Sequence, residues 1–246
     1  DQDADFNINN PEYDKIAIAD FNRDGIPEVY VNNKIFNAVT GKKLADGGMN
    51  GIGRERTSSF TVSSISIAAQ LDQDTSDLEL AAGYSVYKVK IINPNGTLGN
   101  SMTPTNIQIN GVNRDGFTSV ADINNDGQLD VVVTSPGKYP KGVIYAYHIK
   151  NGAAQILAKI NPLSNFDYIG VAVIGDLDNS KIPLIIVPRS EVLTAYKYDG
   201  TNNLVNVWDF ANTDNSGATG STIFDLNGDG KFEIIFRDET ELKIID

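Results

Sequence analysis

The sequence predicts an all-β fold, and three observations support this prediction. Five related segments recur along the 246 residues, and the first residues of their acidic loops, at positions 20, 70, 122, 176 and 225, lie 50, 52, 54 and 49 residues apart. Each segment contains short runs that alternate between apolar and polar residues or are wholly apolar, as strands do. Helical periodicity is nearly absent. Four short strands in a repeat of about fifty residues are typical of the blades of a β-propeller.

The runs of one repeat follow a fixed order. An alternating run such as FTSVAD precedes the acidic loop, and a compact apolar run such as DVVVTS follows it. A turn leads to a second alternating run such as GVIYAYHI, and a weaker fourth run closes most repeats. We therefore predict one domain over residues 1–246, a β-propeller of four-stranded antiparallel blades. The predicted repeats lie at about 14–60, 61–110, 111–164, 165–214 and 215–246.

The two ends of the chain leave the number of blades open. The last repeat stops after its third predicted strand, LKIID, and residues 1–13 contain an alternating segment, ADFNINN. In one interpretation this segment supplies the missing strand and closes a five-bladed ring. In the other, the chain is an excerpt of a larger ring.

Composition excludes several classes of function. The formal net charge is −12, so no basic surface is available to neutralise phosphates, and we expect no nucleic-acid partner. No apolar run approaches the roughly 18 residues that span a bilayer, so we expect no membrane insertion. Without cysteine, the chain has no disulfide or thiolate site. His148 is the single histidine; we interpret it as a surface residue of a strand and predict no catalytic residues.

The acidic loop is the segment with metal-binding chemistry. In residues 122–130, side-chain oxygens stand at loop positions 1, 3, 5 and 9, and Gly127 at position 6 permits the positive φ of a tight turn. Position 7 offers a backbone carbonyl. Ca²⁺ binds about six to eight hard oxygen ligands of these types. Carboxylates crowded in this way repel one another unless a cation lies between them, so the loop predicts a calcium site.

Three copies of this loop carry a full set of oxygen ligands. Each has aspartate at positions 1 and 5, asparagine at position 3, a backbone carbonyl at position 7 and a carboxylate at position 9. The predicted ligands are Asp20, Asn22, Asp24, Ile26 and Glu28 in the first loop, Asp122, Asn124, Asp126, Gln128 and Asp130 in the third, and Asp225, Asn227, Asp229, Lys231 and Glu233 in the fifth.

The other two copies are degraded. In the second loop, Gln70 replaces the first aspartate and one extra residue precedes the last carboxylate, so we predict only a weak metal site. Its ligands would be Asp72, Asp74, Asp77 and Glu79. The fourth loop keeps Asp176 and Asp178 but has Lys181 at the glycine position and Leu184 at position 9. We predict that the fourth loop holds no metal.

An EF-hand loop begins with the same sequence pattern, D-x-[DN]-x-[DN]-G, but it needs a bidentate Glu at position 12 and flanking helices. Position 12 is Val31, Val133 or Phe236 in the three full copies, each inside a strand-like run, which excludes the EF-hand. Residues 116–147, GFTSVADINNDGQLDVVVTSPGKYPKGVIYAY, instead resemble the FG-GAP repeat of integrin α-subunit propellers, also called the VCBS repeat in bacterial surface proteins. The resemblance extends to all five repeats, although only the third keeps every landmark. The amino-acid sequence of the repeats is similar to that of large secreted or surface proteins of Bacteroidota.

This resemblance implies a calcium-stabilised, non-enzymatic module of a secreted or cell-surface protein, bacterial in origin, that serves adhesion or recognition. We expect a protein or glycan ligand on the rim opposite the metal loops, because variable loops on a rigid scaffold commonly carry recognition. The segments on that rim are residues 135–142, 189–191 and 237–240 and the connections around 54–56, 113–115 and 165–167. Two alternatives remain open: a lyase-like enzyme acting on polysaccharides, and a structural spacer in a surface filament.

Overall fold

The structure, a computed structural model, describes residues 15–54, 63–138, 141–160, 168–217 and 219–246. Within these ranges the regular elements are β-strands, which form five antiparallel sheets. The strands of each sheet neighbour one another in chain order, which is the connectivity of a propeller blade. The prediction of an all-β fold built from antiparallel blades is confirmed. The candidate closing strand, residues 1–13, lies outside the described residues.

Each sheet corresponds to one predicted repeat, in order. Sheet 1 contains β1 (Ile16–Ala19), β2 (Glu28–Val31), β3 (Lys34–Asn37) and β4 (Lys43–Asp46). Sheet 2 contains β5 (Ile67–Ala69), β6 (Glu79–Ala82), β7 (Ser85–Lys90) and β8 (Ser101–Asn106). Sheet 3 contains β9 (Phe117–Ala121), β10 (Asp130–Lys138), β11 (Lys141–Lys150) and β12 (Ala153–Lys159). Sheet 4 contains β13 (Val173–Gly175), β14 (Leu184–Arg189), β15 (Val192–Tyr198) and β16 (Leu204–Ala211). Sheet 5 contains β17 (Ser221–Phe224), β18 (Glu233–Arg237) and β19 (Leu242–Ile245).

The chain divides into two compact units, Asp1–Gly116 and Phe117–Asp246. The first unit contains sheets 1 and 2, and the second contains sheets 3 to 5. The prediction of a single domain over residues 1–246 stays a prediction. In the described ranges, no helix has the length and apolar character needed to cross a membrane.

The core of the first unit joins side chains from sheets 1 and 2. Strand β6 is buried at every position, as expected for a strand covered on both faces. Tyr87 on β7 is fully buried, and its hydroxyl donates to the Gly51 carbonyl (2.7 Å) and accepts from the Asn33 amide (2.9 Å). Burial raises the pKa of Tyr87 to about 12. Phe21, the residue at position 2 of the first acidic loop, is also fully buried and packs edge-on against Tyr30. The loop is therefore anchored in the core by its second residue.

In the second unit, the first strands of the three sheets lie side by side, with β13 between β9 and β17. This is the arrangement of the inner strands of neighbouring blades. Sheets 3 and 4 are also linked by hydroxyls of sheet 3, since Ser119 donates to the Ala172 carbonyl and Thr134 donates to the Gly170 carbonyl, each at 2.7 Å. Phe236 of sheet 5 packs edge-on against Phe210 of sheet 4.

The candidate cation-binding loops

Each acidic loop connects the first and second strands of its sheet, and strand pairing fixes its two ends. Asp130, at position 9 of the third loop, lies opposite Ala121, which directly precedes position 1. Glu28 lies opposite Ala19 in the same way, and Glu233 lies opposite Phe224. The antiparallel hairpin therefore brings the carboxylates of positions 1 and 9 to the same end of the sheet, as the spacing predicted.

The carboxylate at position 1 holds the turn. Asp122 accepts hydrogen bonds from the backbone N–H groups of Asp126 (3.1 Å) and Gly127 (2.8 Å). Asp20 bonds to the corresponding two N–H groups of the first loop, at 3.0 and 2.8 Å. Gly127 has φ of 86°, a conformation that a residue with a Cβ adopts only with strain. Glycine at position 6 therefore relieves backbone strain in this turn.

Positions 3 and 5 continue the same pattern. The Asn124 side-chain oxygen accepts from the Asp126 N–H (2.9 Å), and the Asn124 amide donates to Asp126 Oδ2 (3.0 Å). Asp126 Oδ1 accepts from the N–H of Gln128 (2.9 Å). Equivalent bonds occur in the first and fifth loops. The loop oxygens thus lie within the span of one turn, where they bond to its own amides.

Position 9 differs from the others because it is buried. The side chain of Asp130 is fully inaccessible, its Oδ2 accepts from the Ile123 N–H (3.0 Å), and its Oδ1 has no hydrogen-bond partner. Burial, together with the nearby carboxylates of Asp126 and Asp122, raises the pKa of Asp130 to about 7. Glu28 and Glu233 are similarly buried and accept from the N–H of position 2 in their own loops.

The prediction that His148 is a surface residue is wrong. It lies on β11, but its side chain is only 15% exposed and its Nδ1 is 3.7 Å from Asp130 Oδ1. That distance is too long for a hydrogen bond. The cause is the register of sheet 3, in which Val131 pairs with Tyr147, so that the next step of the ladder places His148 opposite Asp130.

The donor atoms of the three full loops fit Ca²⁺ by type. In the described part of the chain, however, no three histidine, cysteine, aspartate or glutamate side chains lie close enough together to form a metal site. In the third loop, Asp122 and Asp126 bond to backbone amides. A buried anionic oxygen without a partner, such as Asp130 Oδ1, is costly, and a cation would satisfy it.

In the second loop, Gln70 stands where the full loops have their first aspartate, and the ammonium of Lys88, on β7, approaches the loop carboxylates. The Gln70 side-chain amide donates to the carbonyls of Asp72 (3.1 Å) and Asp74 (2.7 Å). The Lys88 ammonium lies 2.8 Å from Asp74 Oδ2 and 3.9 Å from Asp72 Oδ2. Glu79 caps the N–H of Leu71 at 2.8 Å with Oε2. Its other oxygen, Oε1, has no hydrogen-bond partner.

The fourth loop has the same turn as the full loops but lacks the carboxylate at position 9. Asp176 Oδ2 accepts from the N–H of Lys181 (2.8 Å), which stands in the glycine position with φ of 64°. Asp178 Oδ1 accepts from the Ser180 N–H (3.1 Å). Leu184 begins β14, so this loop offers no carboxylate at position 9.

One set of loop residues was missed by the sequence analysis. The residue at position 4 has positive φ in the first, third and fourth loops, where it is Arg23, Asn125 and Asn179. Each donates to the next loop along the chain in its unit: Arg23 to the Gln70 side chain (2.7 Å), Asn125 to the Lys181 carbonyl (2.6 Å) and Asn179 to the Gly230 carbonyl. The available signal was asparagine at a turn position, since asparagine tolerates the left-handed region. These bonds link neighbouring loops.

In the segments that the sequence analysis assigns to the opposite rim, several charged residues make hydrogen bonds within their own unit. Asp115 is buried and accepts from the N–H groups of Ile52 (2.8 Å) and Gly53 (3.2 Å). Asp238 is buried and bonds to the turn between β18 and β19. Arg189 donates to the Tyr196 hydroxyl at 3.1 Å. Residues 55–56, 139–140 and 165–167, which belong to the same predicted rim, lie outside the described residues.

Comparison with known proteins supports the repeat and the fold. The family model of the FG-GAP repeat matches residues 116–147. Among solved structures, the chain is similar to the Vibrio cholerae biofilm matrix protein Bap1, with a TM-score of 0.57, 14% identity, and coverage of 95% of this chain and 59% of that one. It is also similar to BBS1N, solved in complex with ARL6DN, with a TM-score of 0.50, 14% identity, and coverage of 93% and 65%.

The chain thus spans about three fifths of the Bap1 chain and slightly under two thirds of the BBS1N chain. No curated protein matches the sequence significantly. At 14% identity these likenesses concern the fold alone. The matched segment, residues 116–147, covers β9, the third loop, β10 and most of β11, so the chain contains an FG-GAP repeat within an all-β fold of antiparallel blades.

Proposed function

We propose that this chain is a calcium-stabilised, non-enzymatic recognition or adhesion module of a secreted or cell-surface protein. The observation that carries the proposal is the unpartnered oxygen of Asp130, fully buried at the mouth of the third loop. A buried carboxylate oxygen without a donor is destabilising, and two further carboxylates, Asp122 and Asp126, raise its pKa by their charge. A divalent cation would offset both effects.

The residues that would hold calcium in the third loop are Asp122, Asn124, Asp126 and Asp130, with the Gln128 carbonyl. The first and fifth loops offer the same donor types, with glutamate at position 9. Calcium would offset the charge of the loop carboxylates and would fix the hairpin that starts the second strand of each blade. The role proposed is structural, because the donors come from one short loop and leave little of the ion open to a substrate.

Recognition is proposed for the opposite rim, with a protein or glycan as the ligand. Bap1, whose fold this chain resembles, is a biofilm matrix protein, and a surface role is what we propose here. The one histidine of the chain lies beside a loop carboxylate, with His148 Nδ1 3.7 Å from Asp130 Oδ1, and no observation favours the lyase-like alternative. Binding to arrayed glycans, measured with calcium and with a chelator, tests the recognition role; a blank array would favour the structural spacer.

Calorimetric titration and thermal unfolding test the calcium sites. We expect about three calcium ions per chain. For dissociation constants near 10⁻⁴–10⁻³ M, millimolar calcium stabilises by about 1 kcal/mol per site. Three sites then raise the melting temperature by roughly 6–12 °C for a chain of this size. Magnesium should substitute poorly, because it demands tighter octahedral geometry.

Two aspartates of the same local type provide a matched pair of variants. Asp126 Oδ1 accepts from the N–H two residues ahead at 2.9 Å, and Asp178 Oδ1 does the same at 3.1 Å. D126A should remove one calcium and its share of the stabilisation, whereas D178A should leave the stoichiometry unchanged. A wild-type chain that binds no calcium, with the same melting temperature in chelator, would show that the loops are only acidic turns.

A further inference from the structure

A lysine side chain from the neighbouring strand β7 places a positive charge beside the carboxylates of the second loop. Four carboxylates lie within residues 72–79, and the ammonium of Lys88 is 2.8 Å from Asp74 Oδ2 and 3.9 Å from Asp72 Oδ2. The positive charge of the lysine is therefore directed at the carboxylates that were predicted to hold a weak metal.

The position of Lys88 follows from strand register. Lys88 on β7 lies opposite Glu79, the last carboxylate of the second loop. Because β7 follows β6 through a tight turn, the lysine emerges beside the loop, and its long side chain reaches Asp74. In sheet 1 the same register position, opposite Glu28, is occupied by Asn37, which has no charge.

The same register position divides the five loops into two classes. Continuing the ladder of sheet 3 by one step places His148 opposite Asp130, and in sheet 5 it places Asp246 opposite Glu233. In sheet 4 it places Lys197 opposite Leu184. Lysine thus occurs opposite position 9 in the second and fourth loops, the two that lack a full ligand set. The three loops with a full set have asparagine, histidine or aspartate there.

We propose that Lys88 is the built-in counter-ion of the second loop, and that removing its charge converts the loop into an additional divalent-cation site. This inference rests on the proposed function, since it explains which loops of one repeat family take calcium. A lysine that cannot diffuse away makes the second loop independent of the calcium concentration.

A second observation indicates that the loop retains the capacity for a cation. Glu79 is 2% exposed, and its Oε1 has no hydrogen-bond partner, as is the case for Asp130 Oδ1 in the third loop. The rest of the loop is held by donors: Arg23 donates to the Gln70 oxygen, and the Gln70 amide donates to the Asp72 and Asp74 carbonyls. None of these donors bonds to Glu79 Oε1.

The test is a gain of binding. K88Q removes the ammonium, and K90Q makes the same change of net charge at an exposed lysine two residues further along β7. Calorimetric titration with calcium chloride should give one ion more for K88Q than for the wild-type chain, and no change for K90Q. K88R, which keeps the positive charge, should also give no change. Adding D74N to K88Q should remove the extra ion.

The outcomes separate this inference from the proposed function. A wild-type chain that binds no calcium contradicts the proposed function, and K88Q then supports the inference only if it binds one ion. Equal stoichiometry for folded K88Q and the wild type would overturn the inference. If K88Q does not fold, the single variant D74N tests the inference instead. It should lower the melting temperature by the same amount with calcium and with chelator, whereas a calcium-dependent effect would show that the second loop already holds a metal ion.

Discussion

The third loop and the second loop place a buried carboxylate at the same point of the hairpin, yet they balance its charge differently. Asp130 and Glu79 each cap the N–H of position 2 with one oxygen and leave the other oxygen without a partner. In the third loop the nearby cross-strand residue is His148, at 3.7 Å. In the second loop it is Lys88, whose ammonium contacts Asp74.

This difference shows that the acidic residues of a loop do not by themselves determine whether the loop needs a metal ion. The charge of the residue across the hairpin, 9 positions away for Lys88 and Glu79 and 18 for His148 and Asp130, also matters. A loop with a covalently attached cation has its counter-ion at all times, whereas a loop without one depends on the calcium concentration. The two loops should therefore respond differently to the same charge-removing substitution.

The largest expected effect is the response of D130N to calcium. In chelator, D130N should stabilise the chain by about 1–3 kcal/mol, because a buried carboxylate with an unpaired oxygen is replaced by a neutral amide. The amide can also donate to the loop carboxylates. In millimolar calcium this gain should be smaller by about 1 kcal/mol, because the wild type is stabilised by one calcium site that the variant lacks. Denaturant unfolding in both conditions measures this difference.

E79Q is the matched variant in the second loop. Its effect on the free energy of unfolding should be the same in calcium and in chelator, because the Lys88 ammonium and the Gln70 amide hold that loop. If the effect of E79Q also changed by about 1 kcal/mol between chelator and calcium, the two loops would share one mechanism and the comparison would fail.

The strands and the turn of the acidic loop could be predicted from sequence because both are local. A strand is visible in the alternation of FTSVAD, and the loop is visible in the spacing of Asp122, Asn124, Asp126 and Asp130. The positive φ at Gly127 follows from one residue. The structure agrees with the sequence on these strands and this turn, whereas the role of the loop oxygens as calcium ligands stays a prediction.

The charge balance could not be predicted in the same way, because it depends on register across a hairpin. Nothing near Lys88 in the sequence marks it as a partner of Asp74, and His148 reads as an ordinary strand residue in YAYHIK. The lengths of the turns between the second and third strands set these partners. The links made by Asn125 and Asn179 were missed for a related reason, since their acceptors lie about fifty residues ahead.

The next largest expected effect concerns the hydrogen bonds of Asn125 and Asn179 to neighbouring loops of the second unit. We expect these bonds to stabilise the chain equally with and without calcium. Asn125 donates to the Lys181 carbonyl at 2.6 Å and has φ of 58°. N125A should cost about 1 kcal/mol in both calcium and chelator, from the lost hydrogen bond and the strain of a Cβ in the left-handed region. N125G should cost less, because glycine relieves the strain. A calcium-dependent loss in N125A would show that the link acts through the metal site. Thermal unfolding of the two variants, with and without calcium, measures this.

The smallest expected effect is at Asp238, a carboxylate that is balanced by a lysine away from the acidic loops. Its side chain is inaccessible, Lys243 lies 3.1 Å away, and the N–H groups of Thr240 and Glu241 donate to it. Burial alone would raise the pKa of Asp238, but these donors and the ammonium outweigh it and hold the pKa well below its usual range. A depressed pKa in the folded state contributes stability above the ordinary value of about 3.9.

That contribution should decrease as the pH falls below this value, and it is fully lost only once the pH passes the lower pKa of the folded state. The stability difference between the wild type and D238N should therefore be present at pH 7 and should shrink toward pH 3. The measurement is denaturant unfolding of both proteins in chelator, so that calcium ligands do not contribute to the pH dependence, with a repeat in calcium at pH 7. A difference that is flat with pH would mean that the turn, and not the charge of Asp238, is what D238N disturbs. If instead the difference appeared only in calcium, a lysine-balanced carboxylate would depend on metal after all, and the distinction between the second and third loops would lose its physical basis.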